Sequence, residues 1–509
     1  MTKYSDLEYL RLSKIRKFLY KIACFFIGIP GWFVNLFKKI GLFFKNFGIK
    51  VKDNFVDIYK TFKEGDYKTR LSFVIMGFGS FARKQYLRGV MFLLFEIIFI
   101  VYMAIWGGFW MSMLPSLGHQ GAEKIYDDFL DTWITIYHDD SFKILLYGIL
   151  TIFFIIAFIY TWRLNVKQNR ISEEILKTGK PLKSSKDDLR SLIDDQFHKT
   201  LLALPMTGII IFTVMPMVFM ILVAFTNYSG QFDGRNNLFG WVGLDNFNQM
   251  LGWSAGGANY AATFGEVLAW TLIWAFFATF TNYFLGMLVA MMINKKGIRL
   301  KKLWRTILIV TIAVPQFISL LYVSKMFAAD GIINGALLSL GWIDTAHLLP
   351  FWTDGTWARI TVIIINIWVG IPYLMLIATG ILMNIPQDLY ESAKIDGANA
   401  FQQYMKITLP YMLFVTGPYL LTSFISNMNN FNVIYLLTGG APTNANAISP
   451  GGTLGYTDLL VTWLFKIAVN DSKYYMASVI GILVFAVVAV ISLIVYNLLP
   501  STRNEEDFQ

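Results

Sequence analysis

The sequence predicts an all-α membrane protein, and three features of it lead to that fold class. Of the 509 residues, 56% are hydrophobic and only 15% are charged, whereas a soluble domain carries about 25% charged residues. The apolar residues form blocks, several of them near the roughly 20 residues that span a hydrocarbon core as a helix. Lys and Arg are concentrated in alternate loops between the blocks. Isolated strands cannot satisfy their backbone in lipid, so the blocks are predicted to be helices.

Eight segments are long and apolar enough to be transmembrane helices. Their approximate bounds are 89–110, 143–162, 201–227, 266–293, 306–328, 358–382, 411–437 and 475–498. A mean hydropathy of +0.52 agrees with a chain that lies mostly within lipid.

The charges of the intervening loops set the topology. Basic residues are abundant in three segments, with eighteen in 1–88, nine in 163–200 and six in 294–305. They are nearly absent from three others, with one in 111–142, one in 228–265 and none in 329–357. The positive-inside rule therefore places both termini in the cytoplasm. The loops 383–410 and 438–474 hold two basic residues each, so parity alone assigns their sides.

Residues 22–62 allow two interpretations. An apolar run is interrupted by Pro30 and Gly31, and beyond it apolar residues recur every three or four positions with lysines between them. This pattern is typical of an amphipathic helix in the membrane interface. A ninth span is the alternative, but it would place the lysines of residues 3–21 outside, against the charge rule.

The sequence accordingly divides into four parts. These are a basic amphipathic cytoplasmic or interfacial segment (1–88), two spans with a cytoplasmic linker (89–200), six spans (201–500) and a cytoplasmic tail (501–509).

Composition argues against several kinds of site. The net charge of +10 is explained by the basic loops, so no nucleic-acid partner is expected. Cys24 is the only cysteine, and the four histidines show no metal-ligand spacing, so neither a disulfide nor a metal site is expected. The phosphate-binding pattern G-x-x-x-x-G-K-[ST] does not occur. The chain itself is therefore not expected to hydrolyse ATP or to hold a cofactor.

The most informative segment is the predicted cytoplasmic loop 386–410, PQDLYESAKIDGANAFQQYMKITLP. Pro386 suits the first turn of a helix, and the acidic residues that follow suit its N-terminal dipole. Gly397 can adopt a left-handed conformation and end that helix. A second short helix is then expected over 399–407, and Pro410 is expected to open the next span.

The same loop resembles the EAA loop of ABC-importer permeases. That pattern is Glu-Ala-Ala, three residues, Gly, nine residues, Ile, one residue and Leu-Pro. The matching residues here are Glu391, Ser392, Ala393, Gly397, Ile407, Leu409 and Pro410. Ser392 in place of the first alanine is the single departure, and Asp396-Gly397-Ala398 is typical of the carbohydrate branch. The resemblance implies that the loop inserts into an ATPase subunit through Glu391, Ser392, Ala393, Asp396 and Gly397.

Polar residues inside the sixth and seventh predicted spans suggest a ligand pathway, because such residues are costly in lipid. Asn366, Gly370 and Tyr373 follow one face of the sixth span, and Asn427 and Asn430 share a face of the seventh. Asparagine amides both donate to and accept from sugar hydroxyls. The alternative is that these amides only hold helices together.

The resemblance extends to the six-helix permease core over about 200–500, and the two extra N-terminal spans are characteristic of maltose/maltodextrin-type permease subunits. It implies that Asn366, Gly370, Tyr373, Asn427 and Asn430 contact sugar. Gln316 is added as a substrate-binding position where the family has serine. Ile312 replaces a tyrosine and Ser426 a phenylalanine, which suggests a different or longer glycan. A long external insertion is replaced by the short loop 228–265, which suggests a different grip on the binding protein.

The implied function is a permease subunit in the plasma membrane for maltose or malto-oligosaccharides. The implied partners are a second permease subunit in a heterodimer, an ATPase dimer that binds ATP and Mg, an extracellular sugar-binding protein, the oligosaccharide and membrane lipid. Three alternatives stay open. They are a permease for another oligosaccharide, an ion-coupled sugar carrier and a membrane scaffold.

Overall fold

The computed structural model describes residues 14–253, 260–295, 297–447, 449–450 and 454–498, so the predicted tail 501–509 lies outside it. Helices form nearly all the regular structure there, which confirms the predicted all-α membrane fold. The exception is an antiparallel hairpin of Glu123–Asp127 and Thr132–Ile136, in which Glu123 pairs with Ile136. Strands of five residues carry too little periodicity to be predicted from sequence.

Seven helices of the described chain are long and apolar enough to cross a membrane. They are Tyr86–Met113, Ser141–Lys177, Phe197–Val223, Ala261–Asn294, Gly355–Leu382, Ala400–Met428 and Tyr474–Tyr496. A further pair of helices, Lys301–Ala313 and Gln316–Met326, meets the same criterion jointly. In chain order these correspond to the eight predicted segments, and they are numbered spans 1 to 8, the pair being span 5.

Span 5 is bent by 91° between its two helices, which the sequence did not predict. The bend falls at Val314 and Pro315, whose ψ angles of 125° and 124° are extended. Proline disfavours the helical conformation in the residue before it and lacks a backbone donor, so the helix stops here.

Contacts between spans 4 and 6 show how the bent pair crosses. Three pairs of residues meet in the same order along both helices: Glu266 with Arg359, Asn282 with Asn366, and Asn294 with Thr379. Spans 4 and 6 are therefore parallel. The chain between them returns once across the thickness of the bundle, so the bent pair counts as one crossing.

Span 7 differs from the predicted segment 411–437 at both ends. It begins at Ala400, and it ends at Met428, where a separate helix Phe431–Leu437 follows. The side-chain oxygen of Asn430 accepts a hydrogen bond from Val433 N at 3.3 Å. Such an N-cap favours the start of a new helix and accounts for the break.

Shorter helices fill the connections. They are Tyr67–Leu71, Phe78–Ala82, Ser185–Ile193, Asp245–Leu251, Ile332–Ser339, Gln387–Ile395 and Leu460–Phe465. π-Helical turns occur at Met103–Gly107, Ile210–Val214, Phe277–Thr281, Tyr404–Thr408 and Lys466–Asn470.

The chain forms two compact units, and the first contains Met1–Phe109 and Leu150–Ile209. It begins with the helix Lys14–Glu64, which continues through Pro30 and Gly31 and is not among the spans identified in the described chain. After it, the buried Arg83 donates to Asp66 Oδ1 and Thr69 Oγ1, both at 2.7 Å. Burial alone would raise the pKa of Asp66. The hydrogen bonds from Thr69 and the charge of Arg83 together outweigh burial, so the pKa of Asp66 lies below its usual value.

The second unit contains Trp110–Ile149 and Ile210–Gln509. Its core lies between spans 4, 6, 7 and 8, where Trp274 and Trp463 are almost completely buried. The predicted sequence divisions at 88, 200 and 500 stay a prediction.

Candidate functional site

Polar groups of spans 4 and 6 meet in the second unit. Asn282 Nδ2 donates to the backbone oxygen of Asn366 at 3.3 Å, and Asn366 is only 6% exposed. A Cβ atom on Gly370 would lie 2.2 Å from Asn282 Nδ2. The absence of a side chain at Gly370 thus permits the close approach of Asn282, and the sugar contact expected at Gly370 stays a prediction.

Asn427, near the C-terminal end of span 7, contacts span 4, and Asn430 lies just after that span. Asn427 Nδ2 donates to Thr279 Oγ1 at 3.0 Å, and its backbone oxygen accepts from Trp274 Nε1 at 3.1 Å. Asn430 Nδ2 donates to Asn427 Oδ1 at 3.4 Å. In this conformation the Asn427 amide holds spans 4 and 7 together, which is the structural role weighed against sugar binding, whereas Asn430 Nδ2 donates to Asn427.

The two other predicted sugar positions are more open. Tyr373 is 50% exposed on span 6. Gln316 is exposed and is the first residue of the helix after the bend in span 5. Within the described chain, no hydrogen bond joins the side chain of either residue to Asn366, Asn427 or Asn430. The structure thus brings together the spans that carry the predicted residues and leaves their sugar contacts a prediction.

Two residues of this region, Thr279 and Asn282, were missed from the sequence. Asn282 Oδ1 is buried and has no hydrogen-bond partner among the described residues. Such an atom is costly unless a ligand, water or rearrangement supplies a donor. A polar residue in the middle of a predicted span was the available indication, and it applied to Asn282 as much as to Asn366.

The first half of the loop 386–410 is the helix Gln387–Ile395. Gly397 has φ +76°, and Ala398 N donates to Ala393 O at 2.8 Å, so the predicted left-handed glycine end is confirmed. The helix presents its side chains outward, with Ile395 87% and Leu389 48% exposed. Glu391, Ser392 and Asp396 are exposed as well, and Ala393 is half-buried.

The second half of the loop differs from the expectation of a separate short helix. Asn399 and Gln402 form a capping box that starts the helix at Ala400. This helix continues through a π-helical turn into span 7, and Pro410 does not interrupt it. Pro410 follows directly after the π-helical turn, in the first turn of the segment Leu409–Met428, where proline is tolerated.

One hydrogen bond joins the two halves of the loop. Tyr390 OH and Thr408 Oγ1 are 2.8 Å apart, and Thr408 is only 4% exposed. This hydrogen bond links the first helix directly to the N-terminal part of span 7.

The opposite end of the second unit, called here the distal end, contains a buried charge pair. Asp458 is 1% exposed, and its Oδ2 lies 2.7 Å from both Lys466 Nζ and Gly455 N. Thr462 Oγ1 donates to Asp458 Oδ1 at 2.9 Å. A Cβ atom on Gly440 would lie 2.2 Å from Asp458 Oδ1, so glycine is required there.

A second ionic contact lies nearby at the distal end. Glu266 Oε1 is 3.8 Å from Arg359 Nη2 and accepts from Asn444 Nδ2 at 3.1 Å. Arg359 Nε also donates to the backbone oxygen of Tyr456 at 2.7 Å. These contacts join the loop after span 7 to spans 4 and 6, and they give Glu266 a structural role.

Comparison with known proteins identifies the family. Residues 282–504 match the binding-protein-dependent transport system inner membrane component family. The chain is 32% identical to the maltodextrin transport system permease protein MalC of Streptococcus pneumoniae, over 87% of this chain and 98% of that protein. This chain belongs to the binding-protein-dependent transport system inner membrane component family.

Other similar proteins are named for the transport of several different sugars. This permease is 33% identical to the galactooligosaccharides transport system permease protein GanP of Bacillus subtilis, over 85% of this chain and 97% of that protein. It is 36% identical to the maltose/maltodextrin permease MalF of Escherichia coli, over 45% of this chain and 44% of that protein. A solved bacterial alginate ABC importer chain superposes with a TM-score of 0.47 and 21% identity, covering 62% of this permease and 99% of that chain.

Proposed function

We propose that this permease forms the sugar pathway of an ATP-driven importer for malto-oligosaccharides. The observation that carries this proposal is its 32% identity, over nearly the whole length, to a maltodextrin permease. Galacto-oligosaccharides are the second candidate substrate, because a galactooligosaccharide permease is 33% identical over a similar length.

The proposed sugar site lies between spans 4, 6 and 7, where Asn366, Asn427 and Asn430 are placed with Asn282. The Asn282 amide now donates to the backbone oxygen of Asn366, the Asn427 amide to Thr279 of span 4, and the Asn430 amide to Asn427. When the spans separate, the same donors and acceptors become available to sugar hydroxyls. Tyr373 supplies an exposed ring on span 6, and Gln316 adds an amide at the bend of span 5.

The loop 386–410 is proposed to dock into an ATPase subunit, which binds ATP and Mg. Ile395 and Leu389 offer apolar contact, and the same helix end exposes the charged side chains of Glu391, Lys394 and Asp396. The continuous helix from Ala400 to Met428 carries the resulting movement to the asparagines of span 7.

The proposed assembly contains a second permease subunit, an ATPase dimer and an extracellular sugar-binding protein. Both termini and the loop 386–410 are proposed to face the cytoplasm, in agreement with the basic segments before span 1 and between spans 2 and 3. The distal end then faces outward, toward the binding protein.

Uptake by reconstituted vesicles tests the function. Vesicles with this permease, its second permease, the ATPase and the binding protein should accumulate maltotetraose only when ATP is present. Uptake of β-1,4-galactotetraose instead would select the second substrate. Accumulation by this chain alone, driven by an ion gradient, would contradict the proposal and favour a secondary carrier.

The helix Lys14–Glu64 is proposed to lie on the cytoplasmic leaflet. Exposed apolar residues recur along one side of it at helical steps: Phe43, Phe44, Phe47, Val51, Phe55 and Phe62. Asp57, on another side, pairs with Arg163 and Arg170 of span 2, and this contact leaves the apolar side uncovered. An apolar side flanked by lysines suits the surface of a bilayer with anionic lipids.

Site-directed fluorescence tests this placement in the full chain with Cys24→Ser. A bimane label at Phe47→Cys should be quenched by lipid-borne nitroxide, and quenching should weaken without anionic lipid. A label at Ile49→Cys, which is exposed on the other side of the helix, is the matched control. Equal quenching at both positions would contradict the proposed orientation.

A further inference from the structure

A polar cavity of about 530 Å³ lies at the distal end. Three segments line it: Asn227 and 229–232, a second segment with Val242, Asp245, Asn246 and Gln249, and a third with Asp471, Lys473 and Tyr475. Tyr260, which precedes span 4, donates through its backbone N to Gln249 O at 3.4 Å. The cavity is therefore at the N-terminal end of span 4, whereas the loop 386–410 follows the C-terminal end of the parallel span 6.

Hydrogen bonds to backbone oxygens hold the walls of the cavity together. Asn246 Nδ2 donates to the backbone oxygens of Ala224 and Thr226 at 2.8 and 2.7 Å. Gly230 N donates to Ser472 O at 2.7 Å, which joins the first and third segments. A cavity fixed in this way is formed before a ligand arrives, so binding costs little ordering of the chain.

The side chains that face this cavity differ from those of the proposed membrane site. Among the described residues, the side chains of Asp245, Gln249 and Asp471 make no hydrogen bond, whereas Asn427 and Asn430 already bond within the bundle. Carboxylates accept hydrogen bonds, and an amide both donates and accepts.

Phe232 and Tyr475 add aromatic residues to the lining, and Lys473, whose Nζ donates to the backbone oxygen of Pro450, adds a cation. Aromatic rings pack against the C–H faces of sugar rings, and the carboxylates and amide suit their hydroxyls. The described residues contain no group of three acidic or histidine side chains suited to a metal ion. The lining therefore fits a neutral ligand with many hydroxyl groups better than it fits a cation.

We propose that this cavity is an entry subsite for the transported oligosaccharide, separate from the site between spans 4, 6 and 7. The inference rests on the proposed function, since it assumes that a sugar reaches the distal end. The volume of the cavity, about 530 Å³, lies within the range of about 300–1,000 Å³ found for small-molecule sites. A longer sugar gains more from it than a disaccharide does, because additional units occupy the cavity.

Calorimetric titration of the assembled transporter in nanodiscs, without the binding protein, tests the subsite. The probe is the tetrasaccharide that the wild-type complex imports, maltotetraose or β-1,4-galactotetraose. Gln249→Ala and Asp471→Asn should each weaken its binding by about tenfold, which corresponds to about 1.4 kcal/mol. The corresponding disaccharide should lose less affinity. Asn248→Ala, on the same helix but outside the lining, is the matched control.

Three results would overturn the subsite. They are undetectable tetrasaccharide binding by the wild-type complex, unchanged affinity in both cavity variants, and an equal loss in Asn248→Ala. Normal sugar affinity together with loss of ATPase stimulation by the binding protein would assign the cavity to a protein contact instead. Failure of the proposed function is distinguishable, because the wild-type complex would then import neither tetrasaccharide.

Discussion

The two ends of the second unit use their side chains in opposite ways. At the distal end, the Asp458 side chain is fully buried and is bonded by Lys466, Thr462 and a backbone N–H. At the other end, the loop helix leaves Ile395 87% exposed. A buried charge with fixed partners holds one arrangement, whereas an exposed apolar side chain on a short helix offers a surface to another chain. The partners of the buried Asp458 all lie within this chain, whereas the exposed side chains of the loop helix are proposed to contact a second chain.

The largest expected effect comes from breaking the distal arrangement. Asp458→Ala leaves Lys466 without its buried partner, and loss of one member of such a pair costs about 3–5 kcal/mol. We expect a lower unfolding temperature in detergent and poor assembly with the second permease. Asp330→Ala, an exposed loop carboxylate, is the control.

A double variant separates charge from packing. Asp458→Asn with Lys466→Met removes both charges, so it should recover much of the stability that Asp458→Ala loses. An unfolding temperature of Asp458→Ala equal to that of wild type would show that the distal end does not depend on this pair.

The next largest effect is expected at the loop helix Gln387–Ile395, which lies at the other end of the second unit. Ile395→Asp places a charge on the apolar surface of the loop helix, and central contacts of an interface contribute about 2 kcal/mol or more. We expect roughly a 30-fold loss of ATP-driven uptake at this cost, with an unchanged unfolding temperature. Leu340→Asp makes a comparable change at another exposed aliphatic residue and should transport normally. Normal uptake by Ile395→Asp would mean that this side chain does not contact the ATPase.

The region between the two ends gives a third, smaller effect. Gly370→Ala places a Cβ atom 2.2 Å from Asn282 Nδ2, and such overpacking costs about 1–3 kcal/mol. Thermal unfolding and sugar affinity should both fall. Gly380→Ala, on the same span with nothing within 4 Å of its Cβ, is the control and should be neutral or stabilising. Equal behaviour of the two variants would contradict the close packing of spans 4 and 6.

The sequence was sufficient for features that depend on neighbours along the chain. Apolar length predicted the eight segments, and Gly397 predicted the end of the loop helix. Features that depend on distant partners were missed. Asp458 and Lys466 are only eight residues apart, but they fall in the predicted loop 438–474, which has no periodic pattern, and their pairing depends on the helix that begins at Leu460. The packing of Asn282 against Gly370 could not be predicted either, because Asn282 lies 88 residues earlier.

The smallest expected effect tests whether the loop helix Gln387–Ile395 is coupled to span 7 through the hydrogen bond between Tyr390 and Thr408. Tyr390→Phe removes only the hydroxyl that bonds to Thr408, and a single hydrogen bond contributes about 1 kcal/mol. We expect uptake per ATP hydrolysed to fall by about fivefold, while binding of the ATPase subunit is unchanged, because the docking surface stays intact. Tyr322→Phe, at an exposed tyrosine of span 5, controls for loss of a hydroxyl. Weaker ATPase binding with unchanged coupling would instead place Tyr390 in the docking surface, and the loop would then act on span 7 through its continuous helix alone.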